Sequence, residues 1–365
     1  MAYRKSKGRA RSFKKIEPAV QTMLFSVNVP AGDGANLATS VYLDVNQCAS
    51  LLNRRFYRQG TNVAIAGLKI GASPTISGNP IKTSVACSKL PATWVMSNAW
   101  EKSFRTWQRM NNEALEENES IRPRFLDFKV FMDAGHHTVG AAANLLPLSS
   151  TGDVATAGEW KYSKITIPDN NPGGISDPGG CNDFDLIATG PNYPGVSPVT
   201  GLDAVSLIEG YAASRGLPPV TDPNVPADAD DVGPDTSTPA NWLGSVFTEG
   251  TEQTEDVLDR MTGENNLAPY PFEGATLGGV VFSDTQYPGG ANQLIGLEAH
   301  DFDFITSTSI GGMSRIKGGM FPCGLIKLDF INMNRVIGQD ISITMTLDMV
   351  PGHHRGYLCE PMMDM

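Results

Sequence analysis

Asp340-Ile-Ser-Ile-Thr-Met-Thr-Leu-Asp-Met-Val350 decides how the rest of the chain is read. Ile341, Ile343, Met345 and Leu347 fall at every second position, with Ser342, Thr344 and Thr346 between them. Successive strand side chains point to opposite faces, so this spacing predicts a strand with one face on an apolar core and the other in water.

Working outward, the same β-rich character returns at 324–332, within 294–310 and at 277–282. At the other end of the chain it marks 22–29, 38–45, 62–70 and 81–90. The first two runs flank a turn-like Pro30-Ala-Gly-Asp-Gly-Ala35 and read as a hairpin or as two sequential strands. A short helical turn is expected at 47–52. One longer helix interrupts the β pattern, with Asn98 as its cap, Glu101 as a capping-box partner and an end by Glu119. Trp100, Phe104 and Trp107 form an aromatic stripe on one face of it, read as core packing, while Lys102, Arg105 and Arg109 lie on another. Strand character resumes at 125–131 and 160–167.

Composition then shifts. Residues 168–274 hold 14 of the 25 prolines and 18 acidic side chains against only Arg215 and Arg260. Such a stretch is expected on the solvent side as an insertion, with helical pieces at 203–215 and 252–261 around a Pro and Asp loop at 218–239. Strands at both ends, one helix and long insertions predict an all-β jelly-roll sandwich over 21–365. Parallel α/β folds need alternating strand and helix units, which are absent.

Residues 1–20 stand apart. Arg4, Lys5, Lys7, Arg9, Arg11, Lys14 and Lys15 make the first fifteen residues strongly cationic, with no acidic side chain among them. Tyr3 and Phe13 supply too little apolar area to offset the ordering entropy, so a disordered basic arm that waits for a polyanion is expected. The segment lacks the apolar run of a signal peptide, and Ala2 replaces the Gly of a myristoylation site. The whole chain has a net charge of -11, yet residues 1–129 carry 19 basic and 9 acidic side chains and the remainder 9 and 30. A charge dipole of that size suits a protein with one face toward phosphate and another toward solvent. Five cysteines, none in a C-x-x-C pair, argue against a disulfide framework or a zinc site, and no apolar run approaches the roughly 18 residues of a membrane span.

Enzyme signatures are missing: no phosphate-cradling glycine loop, no nucleophile elbow and no His-Glu-x-x-His. The pairs His136-His137 and His353-His354 and the run His300-Asp301-Phe302-Asp303 contain ligand types, but alternation in a strand separates His300 from Asp301 and Asp303. Asp228-Ala-Asp-Asp-Val-Gly233 fails the EF-hand template at Val232 and Pro239, so it reads as a solvated acidic surface, with calcium between subunits as the alternative. No other cofactor is expected. Asn118-Glu-Ser120 is a formal glycosylation sequon, read as chance. A second basic group interleaves Arg54, Arg55 and Arg58 with Phe56 and Tyr57, a mixture able to hold single-stranded nucleic acid by charge and stacking. The competing reading is a strand whose arginines pair with carboxylates of a neighbouring subunit.

The basic leader, Asn53-Arg-Arg-Phe-Tyr-Arg-Gln-Gly60 running into Val63-Ala-Ile-Ala-Gly-Leu-Lys69, and Val350-Pro-Gly-His-His-Arg-Gly-Tyr357 together resemble capsid proteins of small circular single-stranded DNA viruses that encode a rolling-circle replication protein (CRESS-DNA-like). The resemblance implies a jelly-roll subunit without catalysis, self-assembly into an icosahedral shell of 60 copies or a multiple, and an inward basic arm on the genome. It places the protein in the virion, and in the host nucleus or cytoplasm during assembly. The acidic stretch at 168–274 does not map onto that family. Two other readings stay open on the residues alone: a non-viral nucleic-acid-binding protein with an acidic solubilising domain, and a lectin-like or carbohydrate-active jelly roll.

Overall fold

The computed structural model describes residues 18–32, 37–117, 120, 126–168, 181–192, 204–215, 243, 247, 276–277, 280–281, 296–308 and 313–365. Antiparallel sheets dominate, and eight of their strands are eight residues or longer: β1 (Thr22–Val29), β2 (Leu37–Asp44), β3 (Thr61–Pro74), β4 (Lys82–Lys89), β10 (Glu298–Thr306), β11 (Met313–Phe321), β12 (Leu325–Asn332) and β13 (Ile341–Met349). They form two sheets, ordered β1-β13-β3-β11 and β10-β4-β12-β2. Counting these eight in chain order, the first pairs with the eighth, the second with the seventh, the third with the sixth and the fourth with the fifth, all antiparallel. The pairing is nested, as in one long hairpin rolled into two layers.

Alternation fixes which face each strand buries. Met23, Phe25, Val27 and Val29 of β1 are buried, as are Ile341, Ile343, Met345, Leu347 and Met349 of β13, and both sets join one core. A one-residue slip would turn either set into water, so the apolar pattern pins the register. The β1–β2 pair is not a hairpin: the two strands lie in different sheets.

Most strand boundaries read from the sequence differ from the observed ones by a few residues, but β11 was not anticipated. Gly318 and Gly319 interrupt its apolar pattern, and their spacing in the ladder explains why they are there. A Cβ at Gly318 would stand 2.4 Å from the carbonyl oxygens of both Ile65 and Ala66 in β3. Gly318→Ala should therefore force the ladder apart and cost roughly 1–3 kcal/mol in urea unfolding. At Gly71 a Cβ would meet only the Thr344 carbonyl at 3.7 Å, so Gly71→Ala is the matched control and should change the midpoint little.

Helix α1 (Val45–Asn53) follows β2, and α2 (Trp94–Glu117) follows β4. The longer helix begins before Asn98: Thr93 Oγ1 accepts the Met96 amide at 3.4 Å, so Thr93 holds the cap position that the sequence reading gave to Asn98. Trp100 and Trp107 are buried and Phe104 is partly buried, as the aromatic stripe predicted. The 125–131 run is no strand where it is described; only Phe131 bridges to Ile187. Its neighbours are α3 (Ala134–Val139) and a small sheet of β5 (Lys164–Pro168), β6 (Cys181–Ile187) and β7 (Ala204–Ser206), in which β6 and β7 run parallel. The short β8 (Thr276–Leu277) and β9 (Val280–Val281) pair with each other.

The expectation that 168–274 lies outside the core needs correcting for its described parts. Phe184, Leu186, Val205, Leu207, Ile208 and Tyr211 are buried with Trp100, Trp107 and Phe128 in a second core, from β6, β7 and α4 (Leu207–Arg215). Two compact apolar runs inside an acidic, proline-rich composition supply them. The sites at 118–119, 228–233 and 252–261 lie outside the described residues.

The chain ends on β14 (Pro351–Gly352), β15 (Gly356–Tyr357) and β16 (Cys359–Pro361), the last pairing with Thr61–Val63 of β3. Antiparallel register separates the connections into two groups. The segments between β3 and β4 and between β12 and β13 lie at one end beside the close of β1, tied together by Thr75 N–H to the Asp340 carbonyl at 3.0 Å and Ala31 N–H to Asp340 Oδ1 at 2.9 Å. The start of β1, α1, the start of β3 and the turn after β13 gather at the opposite end. No helix among the described residues is long and apolar enough to cross a membrane.

Candidate nucleic-acid interface

Three segments far apart in sequence meet at that second end. Helix α1 is capped by Asp44, whose Oδ1 accepts the amides of Asn46 at 3.0 Å and Gln47 at 3.2 Å. It stops at Arg54, a left-handed residue with φ 52° and ψ 37°. An L residue other than Gly is costly there, and the turn it makes sends residues 54–60 over the end of the sandwich rather than along the helix. Arg54, Arg55 and Arg58 thus sit on a turn and loop, and the strand considered for them in the sequence does not form. Arg54 and Arg58 are exposed and Arg55 is half-buried.

The residue just before this turn holds the root of the N-terminal segment. Asn53 Oδ1 accepts the Val20 amide at 2.9 Å, and its Nδ2 donates to the Ala49 carbonyl and to the Tyr357 hydroxyl at 2.7 Å. Tyr357 in turn donates to the Val20 carbonyl at 2.7 Å, so both backbone polar groups of Val20 are held. Burial pushes the Tyr357 hydroxyl up to about 12, keeping it a donor at any ordinary pH. Arg4, Lys5, Lys7, Arg9, Arg11, Lys14 and Lys15 lie outside the described residues. Covalent reach alone keeps Lys15 within about 11 Å of Pro18, since each residue spans at most about 3.6 Å.

The third segment adds a cation, Arg355, that the sequence reading did not single out. Arg355, also left-handed at φ 52°, donates from Nη1 to the Phe56 carbonyl, while Tyr57 donates to the Arg355 carbonyl at 2.9 Å. His353 and His354 are exposed beside it, and no described group of three His, Cys, Asp or Glu stands together as a metal site. Burial first, then the charges of Arg355 and Arg58, hold the His354 imidazole below its ordinary value. The sequence reading took His353-His354 as a ligand pair and used the 350–357 phrase only for its resemblance, without singling out Arg355 as a cation of this group. His136, by contrast, is buried in the interior. Its Nδ1 accepts the Met132 amide at 3.0 Å and its Nε2 meets Asn144 Oδ1 at 2.8 Å, leaving neither nitrogen for a metal.

Aromatic rings line the centre of the group. The Arg58 guanidinium lies 5.8 Å from the Phe56 ring centroid, and Arg58 Nε donates to the Leu126 carbonyl at 3.3 Å. Lys129 Nζ stands 5.6 Å from Phe56 and 4.8 Å from Trp160, and pairs with the buried Asp127 carboxylate at 3.5 Å. Beneath them Asp44 Oδ2 accepts from Trp160 Nε1 at 3.0 Å and Gln59 Nε2 at 3.1 Å, which fixes the Trp160 ring and the loop backbone. Burial pushes the Asp44 carboxyl up to about 6 against the pull of those donors.

Arg54, Arg55, Arg58, Arg355 and the anchored Val20 therefore share one end of the molecule, with Glu159 the acidic side chain at its cleft. Cations on a loop around aromatic faces can attract phosphates and stack bases without reading sequence. No protein-family model, no curated protein and no solved structure matches the chain.

Proposed function

We propose that the protein is a viral coat subunit, a jelly roll that assembles into an icosahedral shell of 60 copies or a multiple and packages single-stranded nucleic acid through its basic N-terminal arm, without catalysis of its own. The observation that carries this reading is the anchoring of Val20 between Asn53 and Tyr357, one residue from Arg54 and two from Arg355. It ties the arm to a second cationic group, and the segments involved are those whose phrases resemble coat proteins of small circular single-stranded DNA viruses. The nested pairing of the eight long strands supports a jelly roll, since two Greek keys rolled into facing sheets leave that order.

Charge favours a shell over a free nucleic-acid-binding protein. Without the seven cations of the arm the chain carries 21 basic and 39 acidic side chains, a net of -18 that repels phosphate. A closed shell lets each subunit turn its basic end to the cargo and its acidic remainder away from it. Expressed full-length protein should form closed particles of uniform diameter in negative-stain images, with a mass by light scattering of 60 subunits or a multiple. A monomer that persists across salt and pH would overturn the proposal.

A further inference from the structure

Beside Arg54 the surface opens into a cleft of about 280 Å³, lined among others by Ser50, Arg54, Arg55, Phe56, Glu159 and Trp160. Its size is just under the roughly 300–1,000 Å³ of ordinary small-molecule pockets, which suits one planar group and excludes an oligomer. Phe56 and Trp160 stand 6.2 Å apart at 50°, so they form an angled aromatic wall. The wall is rigid. The Trp160 indole is tied to Asp44, and the Phe56 carbonyl is held by Arg355. Ser50 is committed as well, donating to the Asn46 carbonyl and accepting the Tyr57 amide.

Resting on the proposed role of this end in holding single-stranded nucleic acid, we infer that the cleft takes one nucleobase against Phe56 and Trp160, while Arg54 and Arg55 at its rim hold the flanking phosphates. Glu159 decides the orientation. A carboxylate only accepts hydrogen bonds, so it repels a phosphate inside the cleft and accepts from a base amine instead. The arm then supplies charge without position, and the cleft gives each subunit a fixed point on the strand.

Charge and stacking leave different signatures in a salt titration. Binding of a fluorescent twelve-nucleotide deoxycytidine oligomer to the full-length protein would be measured from 50 to 400 mM salt, beside an oligomer of equal length carrying abasic sites. Phe56→Leu keeps apolar bulk but removes the ring. It should weaken the normal oligomer on the order of 10-fold at every salt concentration, leave the slope against log salt unchanged and leave abasic binding as in the parent. Phe56→Trp should restore affinity for the normal oligomer. Arg54→Gln with Arg55→Gln should instead flatten the slope by about 0.7 for each lost phosphate contact, with both oligomers. If Phe56→Leu binds both oligomers like the parent while the arginine pair still flattens the slope, the cleft is not a base site and the interface reading stands. If neither variant nor removal of the arm alters binding, the interface reading itself falls, and the cleft proposal with it.

Discussion

Replacing Arg4, Lys5, Lys7, Arg9, Arg11, Lys14 and Lys15 together with Gln should yield particles that assemble but are empty or nearly so. The seven positions hold a quarter of the 28 basic residues in the chain. For single strands the log-log salt slope changes by roughly 0.7 for each neutralised phosphate, so each chain should lose a slope of up to about 5. The fold should be indifferent, because the buried core residues start at Met23 and the Val20 anchor uses backbone groups, Asn53 and Tyr357, not arm side chains. Melting of the variant should match the parent, whereas the ratio of absorbance at 260 to 280 nm in nuclease-treated particles should drop to that of protein alone. Full packaging by the Gln variant at the same salt would remove the arm from the mechanism.

Losing the Asp44 carboxylate should be among the most damaging single changes in the chain. Both of its oxygens are in use, Oδ1 by two amides at the start of α1 and Oδ2 by Gln59 and Trp160, and the residue is fully buried. Asp44→Ala removes the helix cap and strands several buried donors, for a cost of about 3–5 kcal/mol. Asn does not repair it, since it supplies one acceptor oxygen and turns an amide toward donors on the other side. Gln59 cannot flip to compensate, because its Oε1 accepts the Val130 amide at 2.7 Å and its Nε2 donates to the Val130 carbonyl. Asp44→Asn should therefore cost about 2–3 kcal/mol in urea unfolding. The pH profile carries a second test.

Burial raises the Asp44 carboxyl to about 6 and lowers the His136 imidazole to about 4. Between pH 4 and 6 the folded chain keeps a proton on Asp44 that the unfolded chain releases, so this group loses stability as pH rises through the window. His136 does the reverse: the unfolded chain takes up a proton that the folded one refuses, and stability falls as pH falls from about 6.5 to 4. The two slopes oppose each other in the parent. Asp44→Asn removes the Asp44 slope, so between pH 6 and 4 the variant should lose up to about 1.4 kcal/mol per pH unit more than the parent on acidification. A variant with the same pH dependence as the parent would contradict the raised Asp44 carboxyl.

Much of the sandwich was legible because half-buried strands write their register in alternation. β13 could be read from Ile341, Ile343, Met345 and Leu347 alone, since each odd position reaches the core and each even one does not. β11 could not, because Arg315, Lys317 and the Gly318-Gly319 pair answer to β3 beside it and not to a buried face of its own. The second core was hidden by averaging: Phe184, Leu186 and Ile208 sit in a stretch whose overall charge is strongly negative, and charge says nothing about short buried runs. At the basic end Arg54, Arg55 and Arg58 were visible as residue types. Lys129, Trp160, Tyr357 and Arg355 were not, because only folding brings residues about 300 positions apart to the same turn. Asp44 fell inside the strand read at 38–45, and its role appears once the Asn46 and Gln47 amides, Gln59 and Trp160 are seen to converge on it.

Photochemical cross-linking inside purified particles tests the central claim most directly. Particles would be treated with nuclease, irradiated at 254 nm and digested, and nucleotide-bearing peptides mapped by mass spectrometry. Adducts should fall on residues 1–17, on the peptides with Phe56 and Trp160 and on the 353–357 turn, at the end where Val20 is anchored. Adducts confined to the opposite loops, 75–81 and 333–340, or particles holding no nucleic acid at all, would contradict the account.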